Sequence, residues 1–166
     1  MSDFSDALQQ RLSRNQKLAA EREQAEAEMD RVREEEAQRD AALDQAKRDR
    51  HAELSAHLQV VAEQLKASKP DSFIVRTGWS ASGEEYLARM KTRQMSPKRE
   101  LYVEVDRDDD EVLARWTSDI GTAIEVWRLL EVTPEMITQM VLQVADDGAW
   151  SGRRPPRFPG ADEPEE

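Results

Sequence analysis

Neither proline nor glycine occurs before Pro70: all seven prolines lie at or after that residue, and all six glycines at or after Gly78. These are the two residues that most disfavour a helix interior, so the first 69 positions form a stretch with no backbone interruption. Ala, Glu, Gln, Arg, Lys and Leu dominate it, and these side chains lose little rotamer freedom in a helix. Ser2, Asp3 and Ser5 are candidate N-caps, and Pro70 sets the far limit. A helix from Asp6 to Ala67 would run about 90 Å at ~1.5 Å per residue.

Such a helix needs something along its side. Pairs four apart (Arg22 with Glu26, Glu35 with Arg39, Asp44 with Arg48) each add only about 0.2–0.5 kcal/mol. The large apolar residues are Leu8, Leu12, Leu18, Met29, Val32, Leu43, Leu54, Leu58, Val61 and Leu65. From Val32 they recur in eleven-residue steps through Leu43, Leu54 and Leu65, a spacing that favours a nearly straight pairing over a heptad supercoil. No single heptad frame survives: setting Leu8 and Leu43 at d puts Glu26, Arg33, Asp40 and Lys47 at a, which rejects a strict leucine zipper. The segment is read as a self-associating coiled coil with an irregular seam through Leu43, Leu54, Leu58, Val61 and Leu65. A solvated helix that docks by its ends and a disordered charged arm are the alternatives.

Beyond Pro70 the period changes. Phe73–Thr77 reads as a strand, and Glu84–Met95 as a helix stopped by Ser96-Pro97, although Tyr86, Ala88 and Met90 also fit a strand. Leu101–Asp106, Val112–Thr117 and Ala123–Val132 read as strands. Thr133-Pro134-Glu135 opens a helix whose stripe is Met136, Ile137, Met140, Val141 and Val144. The expected class is α+β: a long helix over 1–69, a β-α-β-β-β-α domain over 70–150, and a disordered tail over 151–166. The meander flanked by helices resembles double-stranded-RNA-binding domains in topology alone. Those domains grip phosphate with basic residues at the start of the last helix, where this chain has Glu131 and Thr133-Pro134-Glu135.

Chemistry-bearing motifs are sparse. The chain has no cysteine, so disulfides and thiolate zinc sites are excluded. Gly78-Trp79-Ser80-Ala81-Ser82-Gly83 approaches the nucleophile elbow but has Ser82 where the last glycine belongs, and the only histidines, His51 and His57, lie upstream. Asp106, Asp108, Asp109, Asp110 and Glu111 are the densest acids; Glu111 and Thr117 replace the glycine and the bidentate glutamate that a calcium loop needs. A solvated turn is the reading taken there, with a weak cation site as the alternative. Arg89, Lys91, Arg93, Lys98 and Arg99 form a basic segment without interleaved aromatics for base stacking. In the tail, Arg153, Pro156 and Pro159, with Phe158, fit a polyproline ligand pattern, or an anchor in which Trp150 and Phe158 lie over a neighbouring surface.

A net charge of −11 disfavours nucleic acid and anionic membranes as partners, and no apolar run is long enough to span a bilayer. Met1-Ser2-Asp3-Phe4-Ser5-Asp6 has neither the basic nor the apolar region of a signal peptide, so a cytoplasmic location is expected. No catalytic residue, cofactor or metal is assigned. The expected function is non-enzymatic protein–protein interaction, as an adaptor, small assembly subunit or client-specific chaperone. The helix would pair with itself or another protein, and the head would dock through Trp79, Tyr102, Trp116 or Trp127. Two rival readings are an enzyme using the Asp106–Glu111 acids for metal or phosphate, and a nucleic-acid-associated regulator using the Arg89–Arg99 segment.

Overall fold

The computed structural model describes residues 2–94, 98–150 and 154–160. Helix α1 (Ser2–Ser68) is followed by strands β1 (Phe73–Trp79), β2 (Glu85–Thr92), β3 (Arg99–Asp106), β4 (Glu111–Ser118) and β5 (Gly121–Trp127), then helix α2 (Pro134–Ala145). The strands form one antiparallel meander in the order β1-β2-β3-β4-β5. The class is α+β with a long N-terminal helix, as expected. No helix among the described residues is long and apolar enough to cross a membrane.

The expected helix over Glu84–Met95 is instead strand β2, which pairs with β1 on one side and β3 on the other. Tyr86, Ala88 and Met90 obey the period of two and are buried on one face, whereas a helix would have scattered them around its axis. The Ser96-Pro97 stop and Met95 lie outside the described residues. The last strand ends at Trp127, earlier than expected, and Leu129–Glu131 makes a 3-10 turn before α2. Thr133 caps α2 as its sequence predicts, its hydroxyl accepting from the Met136 N–H at 3.3 Å.

The chain divides into two compact units, Met1–Asp44 and Gln45–Glu166. The first is α-helical throughout its described residues. Its large side chains are uncovered, from Leu8, Leu18 and Val32 at 45% exposure to Phe4 at 73%. Its ion pairs are Arg31–Glu28 and Arg33–Asp30, at 3.3 and 3.7 Å, between solvated side chains that contribute little.

In the second unit one sheet face is the core. Met90, Leu101, Val103, Val105, Val112 and Trp116 are fully buried with Leu54, Leu58 and Ala62 of α1 and Ile137, Met140 and Val144 of α2. The final turns of α1 are therefore part of the head. Polar ties fix them there: Lys47 pairs with Asp110 at 3.1 Å, Arg50 donates to the carbonyls of Leu130 and Val132, and His57 Nε2 bonds Thr138 Oγ1 at 2.6 Å. Phe158 closes the other end. Its ring stacks on Trp116 at 5.7 Å and meets the edge of Trp127 at 5.8 Å, while Trp150 packs edge-on against Trp116 at 5.1 Å.

Candidate functional site

The β1–β2 turn is built by its small residues. Ser80 and Ser82 share a hydroxyl hydrogen bond of 3.0 Å, the Gly83 N–H donates to the Ser80 carbonyl, and Gly83 takes φ +77°, where a side chain would be strained. The turn leaves Trp79 at the end of β1 with half its indole in solvent (53%), its ring 5.1 Å from Tyr86 and 5.7 Å from His51. Facing it, Arg48, His51, Ala52, Ser55, Ala56 and Gln59 follow helical spacing on one side of α1. Between turn and helix lies a recess of about 360 Å³, lined also by Arg107.

The lining contains two arginines and no carboxylate, in a chain of net charge −11. Arg107 is held by Glu84 at 4.0 Å and Asp108 at 3.6 Å, whereas Arg48 forms no ion pair among the described residues. Ser55 is 3% exposed, and its hydroxyl has no hydrogen-bond partner among the described residues. The recess thus combines an aromatic plate with a guanidinium that has no ion pair among the described residues. That set suits a group with a flat or aliphatic body and an anionic end.

Both histidines are engaged by other groups. His51 Nε2 faces the carbonyl oxygens of Glu84 at 2.9 Å and Val105 at 3.1 Å, so that nitrogen carries the proton and bonds backbone. His57 bonds Thr138, and neither imidazole is hydrogen-bonded to Ser80 or Ser82.

The acids and bases singled out in the sequence lie apart. Asp106 closes its turn by accepting from the N–H groups of Asp108 and Asp109, at 3.0 and 3.2 Å. Asp110 turns away to Lys47 and the Leu129 N–H. The carboxylates that do converge are Glu85, Glu104 and Asp106, whose oxygens lie within 4.8 Å of one another. Glu104 lies two residues before Asp106 on one face of β3, while Glu85 escapes a reading by sequence neighbourhood because the β2–β3 register sets it opposite Asp106. A hydrogen bond shared with Glu104 raises the carboxyl pKa of Glu85 above its ordinary value; sharing with Asp108 does the same for Glu84, and with Asp106 for Asp109.

The basic segment splits between the two sheet faces. Arg89 pairs with Glu100 at 2.9 Å and lies over the Tyr102 ring, which Arg115 approaches to 4.8 Å. Arg99 points to the core face, paired through Nη2 with Asp147 at 2.7 Å, while its Nε and Nη1 are shielded without an acceptor among the described residues. Arg93 donates to the Pro70 carbonyl, and the Lys98 N–H to Asp119. Arg99 and Asp106 begin and end β3, roughly 23 Å apart at ~3.3 Å per residue, whereas Arg89, opposite Tyr102, lies about 13 Å along the sheet from Asp106 and is paired with Glu100.

Of the seam residues, Leu54, Leu58 and Leu65 are buried in the chain's own core, Val61 is half-buried against it, and Leu43 is 47% exposed. Among the docking aromatics, Trp116 is fully buried, Trp127 is half-buried against the core and Tyr102 half-buried beneath Arg89 and Arg115, leaving Trp79 exposed. In the tail, Phe158 and Pro159 are buried and Pro156 half-buried, and Gln143 Nε2 donates to the Arg157 carbonyl at 3.2 Å. Arg153 lies outside the described residues. No family model, curated protein or solved structure matches the chain.

Proposed function

We propose that this chain is a non-enzymatic protein–protein interaction protein, an adaptor or small assembly subunit whose helical first unit self-associates and whose head docks a second partner. The observation that carries the reading is the set of uncovered large side chains on the helix of Met1–Asp44: Phe4, Leu8, Leu12, Leu18, Met29, Val32 and Leu43. A single helix of this length with a one-sided apolar series gains its stability by covering that series.

The test is sedimentation equilibrium of the full chain across a concentration series, beside Leu18→Glu/Met29→Glu. A native mass above that of one chain, falling to one chain in the variant, supports the reading. A native mass of one chain throughout refutes it.

For the head, the Trp79 recess favours an acidic segment of a partner protein. Trp and Arg are the side chains that most often dominate binding energy, and Trp79 lies beside Arg48 and Arg107. Titration with an aromatic, Asp/Glu-rich peptide, followed by indole fluorescence, tests this. Binding that Trp79→Ala abolishes and Arg48→Glu weakens is the expected result.

A further inference from the structure

The structure removes a conflict from the sequence pattern. Leu54, Leu58 and Leu65 are spent on the chain's own sheet, so an intermolecular seam has only residues 4–43 to explain. Taken alone, those residues fit one heptad frame: Phe4, Leu18 and Val32 fall at d with the smaller Ala25, and Leu8, Met29 and Leu43 at a. Leu12 flanks that seam at e, and Leu54, Leu58, Val61 and Leu65 fall outside its a and d positions. The apolar layers are interrupted by Arg11, Asn15, Arg22, Glu36 and Arg39 at the remaining a and d positions.

We infer that the first unit pairs with a second copy of itself in an antiparallel coiled coil, in the register that sets Leu18 opposite Met29 and Phe4 opposite Leu43. This rests on the self-association reading and adds its direction and register. Antiparallel pairs place a against d of the partner helix, and this register does so throughout. Arg11 then meets Glu36, Asn15 meets Val32, and Leu8 meets Arg39. Arg22 meets Ala25, whose small side chain leaves room for the arginine stem to lie along the seam with its charged head in water.

Charge decides the direction. Residues 11–17 carry Arg11, Arg14 and Lys17 without an acid, while residues 30–36 carry Asp30, Glu34, Glu35 and Glu36 against Arg31 and Arg33. The antiparallel register lays the first block on the second, with Lys17 opposite Asp30. A parallel, in-register pair would instead stack Arg11, Arg22, Glu36 and Arg39 each on its own copy, four like-charge layers inside the seam. The antiparallel pair needs no other protein, because both halves of the complementary surface lie on one helix.

Because the chain has no cysteine, disulfide trapping can be read directly. Full-length Leu18→Cys and Met29→Cys chains are prepared separately, then oxidised alone and as a mixture, with sedimentation run in parallel. The expected result is a disulfide dimer with one chain of each kind in the mixture and little crosslinking in either variant alone; Phe4→Cys with Leu43→Cys should behave likewise. Leu18→Cys crosslinking efficiently to itself, or a dimer mass with no crosslink in the mixture, overturns the antiparallel register and leaves self-association standing. A mass of one chain at every concentration overturns both.

Discussion

Asp110 holds Lys47 and the backbone in one grip: its Oδ2 lies 3.1 Å from Lys47 Nζ while its Oδ1 accepts from the Leu129 N–H at 3.1 Å. It does so from φ 52°, a left-handed conformation that Asp and Asn adopt more readily than other residues bearing a side chain. One residue of the β3–β4 turn thereby links α1 to the segment entering α2. Asp110→Asn keeps the backbone conformation and the bond to Leu129 but loses the ion pair, at a cost of about 1 kcal/mol. Asp110→Ala loses both contacts and the conformational tolerance, and should cost roughly 2 kcal/mol or more. Urea unfolding of the two variants separates these contributions.

The burial of α1 predicts where the chain can be cut. A protein starting at Lys69 lacks Leu54, Leu58, Ala62 and Leu65 and should give neither a cooperative melt nor dispersed amide resonances. One starting at Gln45 should retain both. Leu58→Ala in the full chain should cost about 2–5 kcal/mol. Leu18→Ala, on an exposed position of the other unit, should leave the head's unfolding midpoint unchanged.

Phe158 fills the space between Trp116 and Trp127. Phe158→Ala should cost about 3 kcal/mol and raise the solvent exposure of both indoles, seen as red-shifted, iodide-quenchable emission. Phe158→Leu, which keeps most of the volume, should recover much of the stability.

The shared protons of Glu84, Glu85 and Asp109 set a pH dependence. Their folded-state pKa values are raised, so in the range where these groups titrate the native state binds more protons than the unfolded chain. Their contribution is present below the ordinary carboxylate value and lost as pH rises through the folded-state values, leaving repulsion at neutral pH. Glu85→Gln should therefore raise the urea midpoint at pH 7 and flatten its change between pH 7 and 4.5. A steeper profile in the variant contradicts the assignment.

Much of this fold can be read from composition and period. The absence of Gly and Pro before Pro70 announces α1; the alternation of Leu101, Val103 and Val105, and the Thr133-Pro134 start of α2, are equally plain. Strand β2 is harder, because Tyr86, Leu87 and Met90 also satisfy a helical stripe, and only pairing with β1 and β3 resolves the ambiguity. The eleven-residue series is legible too. Nothing in its spacing shows that Leu54, Leu58 and Leu65 meet the chain's own sheet while Leu43 stays exposed. The Trp79 recess joins three separate stretches of sequence, Arg48 to Gln59, Trp79 to Gly83, and Arg107. Arg48, Ser55 and Trp79 become neighbours through tertiary packing, with no local motif to mark them.

The place of Phe158 in the chain has a consequence for biosynthesis. Translation delivers Trp116 and Trp127 well before the ring that wedges between them. Until Phe158 is docked, the slot between Trp116 and Trp127 stands open, and any folding intermediate in that state presents apolar surface to an unintended guest.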